Sequence, residues 1–250
     1  MRYLVIGVLA FLAVLIALLP ASLLRHLTGD FSELLVVTPR GTLYDGTAHL
    51  VVAGERLGNL SWSFAPDALL PARIAVDYHL EGEGMDIGGR FARGLRDARV
   101  HATGALSMAR LAPILEPYDL MIGGKADLRD VEVGFDGTQP VSARGSIVWS
   151  GGEVRYVLSG RPGRAVLEPM AAELAKGSGG PVAMVRSAGR ISGKNVNHAT
   201  PLIEVTLGYD GFVRVGVTKA LTNMLNSPWP GNDPDQAIVL QVEEQIFSYQ

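Results

Sequence analysis

The chain predicts a mainly β protein: an N-terminal transmembrane helix followed by a strongly curved antiparallel sheet, U-shaped or an open roll, with a few short helices. Three observations predict it. Residues 4–24, LVIGVLAFLAVLIALLPASLL, carry no charge, and at about 1.5 Å per residue a helix of that length crosses the roughly 30 Å hydrocarbon core of a bilayer. Beyond it, short runs alternate apolar and polar residues, the period of a half-buried strand. The 30 glycines are scattered between those runs rather than gathered in one linker, so turns are frequent.

The membrane helix comes first. Every amide inside lipid must be bonded, and a helix does this within itself. Its predicted anchor residues include Leu4, Leu12, Leu15, Leu19 and Leu24. The alternative is a cleaved signal peptide, which has a basic start, an apolar run of roughly 7–15 residues and a small-x-small cleavage site. Here the run is longer, only Arg2 precedes it, and Leu19-Pro20-Ala21 is a poor cleavage site. Arg2 before the span and Arg25 and His26 after it leave the flanking charge nearly even. The short leading tail and the strand-rich length behind it place the N-terminus in the cytoplasm. Residues 1–27 are then a single-pass anchor and residues 28–250 a β-rich domain outside the cytoplasm. Two halves, 28–140 and 141–250, are an open alternative.

The strands follow in order. Leu34-Leu35-Val36-Val37 leads into the turn signal Thr38-Pro39-Arg40-Gly41. Leu60, Trp62 and Phe64 share one face with Gly58, and Ile74, Val76, Tyr78 and Leu80 repeat the pattern after the break at Pro66. Further strands are predicted over 85–91, 98–106 and 124–135, the last with a shift of phase near Arg129-Asp130 that suggests a bulge. Residues 141–149 read as a strand returning through Val154, Tyr156 and Leu158 after a tight hairpin at Ser150-Gly151-Gly152. Ser107 caps a short helix ended by Pro113, and residues 165–176 read as a helix, with Pro169 as a fault in that reading. Residues 182–191, 202–207, 212–217 and 237–247 read as strands, with a short helix over 219–225. Gly41-Thr42-Leu43-Tyr44-Asp45-Gly46 is faintly echoed by Gly145-Ser146-Ile147-Val148-Trp149-Ser150-Gly151.

Composition excludes several functions. Net charge is −3 with a pI near 6.0, and no basic patch interleaves with aromatics, so nucleic acid is not a partner. With no cysteine there is no disulfide, no thiolate metal site and no thiol chemistry. The five histidines, His26, His49, His79, His101 and His198, do not pair at metal-ligand spacing. Nucleophile elbow, phosphate loop and His-Glu-x-x-His are all missing. The Gly/Arg-rich run 84–94 reads as a solvated hairpin, with a phosphate site as the alternative. Asn59-Leu60-Ser61 matches a glycosylation sequon of a kind that arises by chance. Trp62 and Trp149 read as core anchors, with an apolar groove between sheet faces as the alternative. No enzyme, cofactor or metal is expected.

Three motifs stand behind the apolar segment ending in Leu19-Pro20-Ala21: Gly41-Thr42-Leu43-Tyr44-Asp45-Gly46, Leu57-Gly58-Asn59-Leu60-Ser61-Trp62 and Pro66-Asp67-Ala68-Leu69-Leu70. Through them the segment 35–80 resembles the start of the type II secretion system protein N family, and the resemblance implies a periplasmic β domain. The family commonly has Trp where this chain has Tyr44. The motif and core positions are thus Gly41, Leu43, Tyr44, Gly46, Gly58, Trp62, Pro66 and Leu70, together with Trp149 from the second half. The resemblance implies an accessory component of the type II apparatus in the bacterial inner membrane. Its partners would be other inner- or outer-membrane secretion components, contacted through sheet edges, and membrane lipid. The motifs are also similar to those of AsmA-like proteins, which implies the alternative of a lipid-binding or lipid-transfer module with an apolar trough for a lipid ligand.

Overall fold

A computed structural model describes residues 34–245, apart from 43, 53, 70–72, 138, 159, 189–199 and 226. The predicted anchor, from Leu4 to Leu24, lies outside the described residues, as do Leu43 and Leu70. Among the described residues no helix is long and apolar enough to cross a membrane.

Alternation of apolar and polar residues produces strands almost throughout. They are β1 (Leu34–Gly41), β2 (Asp45–Val52), β3 (Glu55–Phe64), β4 (Ile74–Gly82), β5 (Met85–Arg93), β6 (Asp97–Ser107), β7 (Met121–Ile122), β8 (Lys125–Asp136) and β9 (Gln139–Trp149). There follow β10 (Gly152–Leu158), β11 (Arg161–Leu167), β12 (Met170–Lys176), β13 (Pro181–Ser187), β14 (Ile203–Leu207), β15 (Phe212–Thr218) and β16 (Ile238–Gln245). Short helices α1 (Ala112–Leu115) and α2 (Lys219–Met224) interrupt them. Thirteen strands form one antiparallel sheet in the order β1-β2-β3-β4-β5-β6-β8-β9-β12-β13-β14-β15-β16. A second sheet of three strands has the order β11-β10-β7.

Because side chains alternate along a strand, register sorts them into two faces. One face of the large sheet is apolar. Leu60 stands opposite Leu80, Leu80 opposite Ile87, Val100 opposite Val133, Leu128 opposite Ile147, Ile147 opposite Ala172, and Val205 opposite Val215. The other face is laced with cross-strand ion pairs, among them Asp77 with Arg90, Glu132 with Arg144 and Glu243 with Arg214.

The sheet is not strongly curled, which corrects the expected U or roll. It stays open, with β1 and β16 as unjoined edges. Rolling would have let the apolar face cover itself; here separate segments cover part of it. Two excursions leave the large sheet at neighbouring junctions. Between β6 and β8 the chain forms α1 and β7; between β9 and β12 it forms the β10–β11 hairpin. The excursions meet where β7 pairs with β10 through Ile122 opposite Val154. Together with α2 they seat Val154, Leu167, Leu221 and Leu202 over Met170 of the large sheet, the main core of the molecule.

Several local expectations are corrected. The helix over 165–176 is instead the end of β11, a turn at Glu168-Pro169, and β12. Pro169 lacks the amide a helix needs, and the burial period is two: Ala165 and Leu167 are buried while Val166 is 80% exposed. The hairpin at Ser150-Gly151-Gly152 does not pair β9 with β10; β9 pairs with β12. Gly151 there has φ +77, and a Cβ would sit 2.6 Å from the Leu167 carbonyl oxygen. Ser107 gives no side-chain cap, and its helix begins as a 3-10 turn over Met108–Leu111. Pro113 lies inside the first turn of α1 rather than ending the helix, where its missing amide would be unbonded anyway. The turn signal at Thr38-Pro39 is a bulge within β1, and the chain reverses beyond Gly41 instead, where the Thr42 amide donates to the Asp45 carbonyl at 2.7 Å. The bulge near Arg129-Asp130 is present, with the register shifting between Arg129 and Glu132 and Asp130 at φ 48°.

Candidate functional site

The motif Gly41-Thr42-Leu43-Tyr44-Asp45-Gly46 is a turn built to receive Trp62. The Thr42 hydroxyl oxygen accepts from the amides of Tyr44 (3.3 Å) and Asp45 (3.0 Å), a local alternative to strand pairing. This frees the Thr42 carbonyl to accept the Trp62 indole N–H at 3.2 Å. The ring lies over Gly46, where a Cβ would come within 2.6 Å of Trp62 Cζ2. Gly41 has φ +92, and a Cβ there would stand 2.4 Å from the Asp45 carbonyl oxygen. Tyr44 meets Phe64 edge to face, centroids 5.9 Å apart. Gly58 allows close strand approach, since a Cβ would fall 2.5 Å from the Glu81 carbonyl oxygen. Pro66 opens the 3-10 turn Pro66–Leu69, from which Asp67 reaches Arg90 at 2.7 Å.

Gly41, Tyr44, Gly46 and Trp62 therefore form one packed corner, with Gly58 along the same pair of strands. Trp149 belongs elsewhere. Its indole N–H donates to the Gly123 carbonyl at 2.8 Å, and the ring packs against the main core. The echoed segments share residues but not conformation: 41–46 holds a turn, whereas 145–149 is the interior of β9.

The run 84–94 is the returning arm of the β4–β5 hairpin, as the sequence suggests, and not an open phosphate site. It is β5, in the middle of the sheet, and Arg90 is already committed: Nε and Nη2 donate to the Asp77 carboxylate at 2.6 and 3.0 Å, and Nη1 donates to Asp67. The Arg90 hydrogen bond holds the Asp67 carboxyl below its ordinary range. His79 and His101 lie on this polar face beside Asp86 (3.6 Å) and Asp130 (3.5 Å), and His49 bonds Asn59 at 2.8 Å. Among the described residues no group of three or more His, Cys, Asp or Glu could hold a metal.

Sequence reasoning raised an apolar groove and open sheet edges but placed neither. One is an apolar cavity of about 290 Å³ between the large sheet and its cover, walled by Trp149, Tyr156, Leu120, Ala172, Val185 and Leu221 among others. Tyr156 donates across it to the Leu225 carbonyl at 2.9 Å. Alternation in Val154-Arg155-Tyr156 placed Tyr156 on an apolar face, but nothing local told which sheet it would face. The other is the edge β16. It pairs only with β15 among the described residues, and Val242 and Ile238 are 60% and 47% exposed.

The motifs that build the Trp62 corner fall inside the matched part of a family model: residues 32–197 match type II secretion system (T2SS), protein N. The chain belongs to that family. No curated protein and no solved structure matches it. As a protein N family member it is an accessory component of type II secretion, with a membrane-associated role and other secretion components as partners. In this protein N chain the motif glycines and Trp62 are structural. Gly41 and Gly46 lie at the reversal between β1 and β2, and Gly46 makes room for the Trp62 indole.

Proposed function

We propose that this protein is a periplasmic scaffold of the type II apparatus, held to the inner membrane by residues 1–27, that engages another secretion component by strand addition at β16. The single observation that carries the contact is the contrast between the two edges. An open edge offers unpaired amides and carbonyls to an incoming strand unless Pro, a bulge or a charge blunts it. β1 is blunted by Pro39, by Thr38 at φ 49° and by the register shift between Val37 and Arg40. β16 runs from Ile238 to Gln245 without proline, its one register shift lies at its start, and its two charges, Glu243 and Glu244, are engaged by Arg214 at 2.8 Å and by the Tyr118 hydroxyl at 2.7 Å. Its exposed apolar residues Ile238 and Val242 suit a partner strand of alternating pattern.

The test compares three strains: wild type, a deletion, and Val242→Lys. Val242 is exposed enough for lysine to be tolerated, and an edge lysine opposes strand addition. The expected result is accumulation of type II exoproteins in the periplasm of both the deletion and Val242→Lys strains, with the variant chain present at wild-type level. Normal secretion in the deletion strain would overturn the secretion role. Normal secretion in the variant alone would overturn the β16 contact.

A further inference from the structure

We infer that the strand added at β16 is basic: it alternates apolar residues and begins with two consecutive Lys or Arg, which lie against Glu243 and Glu244. The inference rests on the β16 contact proposed above and gives the partner its chemistry.

Negative charge is concentrated at this edge. Residues 200–245 carry six Asp and Glu against two Lys and Arg, a net −4, whereas the whole chain has a net charge of −3. They lie outside residues 32–197, the part that matches the family, so the matched part does not supply the edge. The two cations do not offset the acids along the strand. Lys219 is turned into the loop before β16, where its ammonium donates to the carbonyls of Gly231 at 2.7 Å and Asp233 at 2.8 Å. Arg214 bonds Glu243 at 2.8 Å and is shared with Asp210, so one guanidinium serves two carboxylates. Glu244 accepts from the Tyr118 hydroxyl at 2.7 Å, a neutral donor that leaves the charge in place. Both glutamates are held in position and the edge stays negative.

Register decides where the partner's charges fall. Successive residues of β16 face opposite sides of the sheet. Leu240 and Val242 stand opposite Val217 and Val215, on the apolar face, while Gln241 and Glu243 stand opposite Gly216 and Arg214, on the ion-paired face. Glu243 and Glu244 are consecutive, so they present one carboxylate to each face at the same end of the strand. A partner strand meets them with two consecutive residues, one on each face. Opposite charges directly across a strand pair attract and like charges repel, which makes those two residues Lys or Arg. The positions that follow, across from Val242 and Leu240, are apolar. A second copy of this chain has the wrong charge, because its β16 is equally acidic and its β1 is blunted by Pro39 and the bulge.

The test uses the full-length chain held in an amphipathic polymer and two end-capped peptides carrying a neutral dye, Lys-Arg-Val-Thr-Val-Thr and Glu-Glu-Val-Thr-Val-Thr, read by fluorescence anisotropy. Added antiparallel, each brings its first two residues to Glu244 and Glu243. The basic peptide is expected to bind about tenfold more tightly than the acidic one, and its affinity to fall about threefold between roughly 50 mM and roughly 0.5 M salt. The preference is expected to vanish in the double variant Glu243→Gln, Glu244→Gln. The basic peptide N-methylated at every backbone amide keeps its charge but cannot donate to an edge, and is expected not to bind. Equal binding of the two peptides, or a preference that survives high salt or the double variant, would overturn the basic partner and leave the β16 contact standing. No binding of either peptide, or undiminished binding of the methylated one, would overturn strand addition itself. Should the double variant fail to fold, the peptide pair and the salt series in wild type carry the test.

Discussion

The two halves of the large sheet's apolar face are finished differently. Over β9 and β12–β15 the face is covered by β7, the β10–β11 hairpin and α2, and Met170, Leu202 and Leu221 are 4–5% exposed. Over β2–β6, among the described residues, the buried cluster on this face is Ala48 with Trp62, made from the sheet alone; Ala65 and Ala75 are buried on the opposite, ion-paired face. There Phe91 and Ile74 are 39% and 52% exposed. The covered half is a two-layer core; the open half is a single layer held by cross-strand neighbours and one seated indole. Cover, rather than strand pairing, is what differs between them, because the hydrogen-bonded ladders run through both.

That comparison can be broken from its largest effect downward. Trp62 is 7% exposed although it lies in the open half, so Trp62→Ala should cost about 3–5 kcal/mol by urea denaturation; an unchanged midpoint would end the claim that this half hangs on one ring. A matched pair comes next. Leu221→Ala in the covered core should cost about 2–5 kcal/mol, whereas Leu60→Ala on the half-buried open face should cost about 1 kcal/mol or less. Equal losses would show that the open face is covered in solution.

Gly46→Ala should cost about 1–3 kcal/mol, the range for a forced overpacking, because its Cβ would meet both the ring of Trp62 and the Arg40 carbonyl oxygen. A red-shifted tryptophan emission should accompany it, and an unshifted spectrum would mean the indole keeps its seat.

The smallest effect is acid sensitivity, and it should not distinguish the halves. Hydrogen bonds from Arg90, Arg155 and Arg214 lower the pKa values of Asp67, Glu153 and Asp210. Their contribution is fully present above the ordinary values of 3.8 for Asp and 4.5 for Glu. It is lost as pH falls through the lower folded values. All three are exposed, so Asp67→Asn and Asp210→Asn should each flatten the acid limb of Tm against pH slightly and alike. A large effect from either one would reveal a buried pair.

Strand content and the phase of each strand were legible because period-two alternation depends only on residues next to each other. The motif corner was legible too, since Gly41, Thr42, Gly46 and Trp62 lie within two adjacent strands. What failed depended on distant partners. Gly151 and Gly152 read as a hairpin, and no local signal told that the Leu167 carbonyl crowds that turn. Residues 165–176 have apolar positions that fit a helix as well as two strands, and only Pro169, noted as a fault, argued for the latter. An apolar groove at Trp149 was an alternative reading, but its place and its other walls were not legible, because they come from both excursions, from the large sheet and from α2.

The strand order carries a consequence for how the chain acquires its shape. From β1 to β6, and again from β12 to β16, each strand pairs with its successor in sequence. From β1 to β6 sheet growth can therefore proceed by local zippering with short loop closures, whereas β13 to β14 and β15 to β16 are joined by longer connections. Two joints break that rule, β6 to β8 and β9 to β12, and they delimit the excursions that build the cover. In a chain made from its N-terminus, β1 to β6 can zip up first, and the covered core waits for β7 and β10 to find each other. The covered core and its apolar cavity thus lie at the two joints where the sheet pairs strands that are not consecutive in the chain.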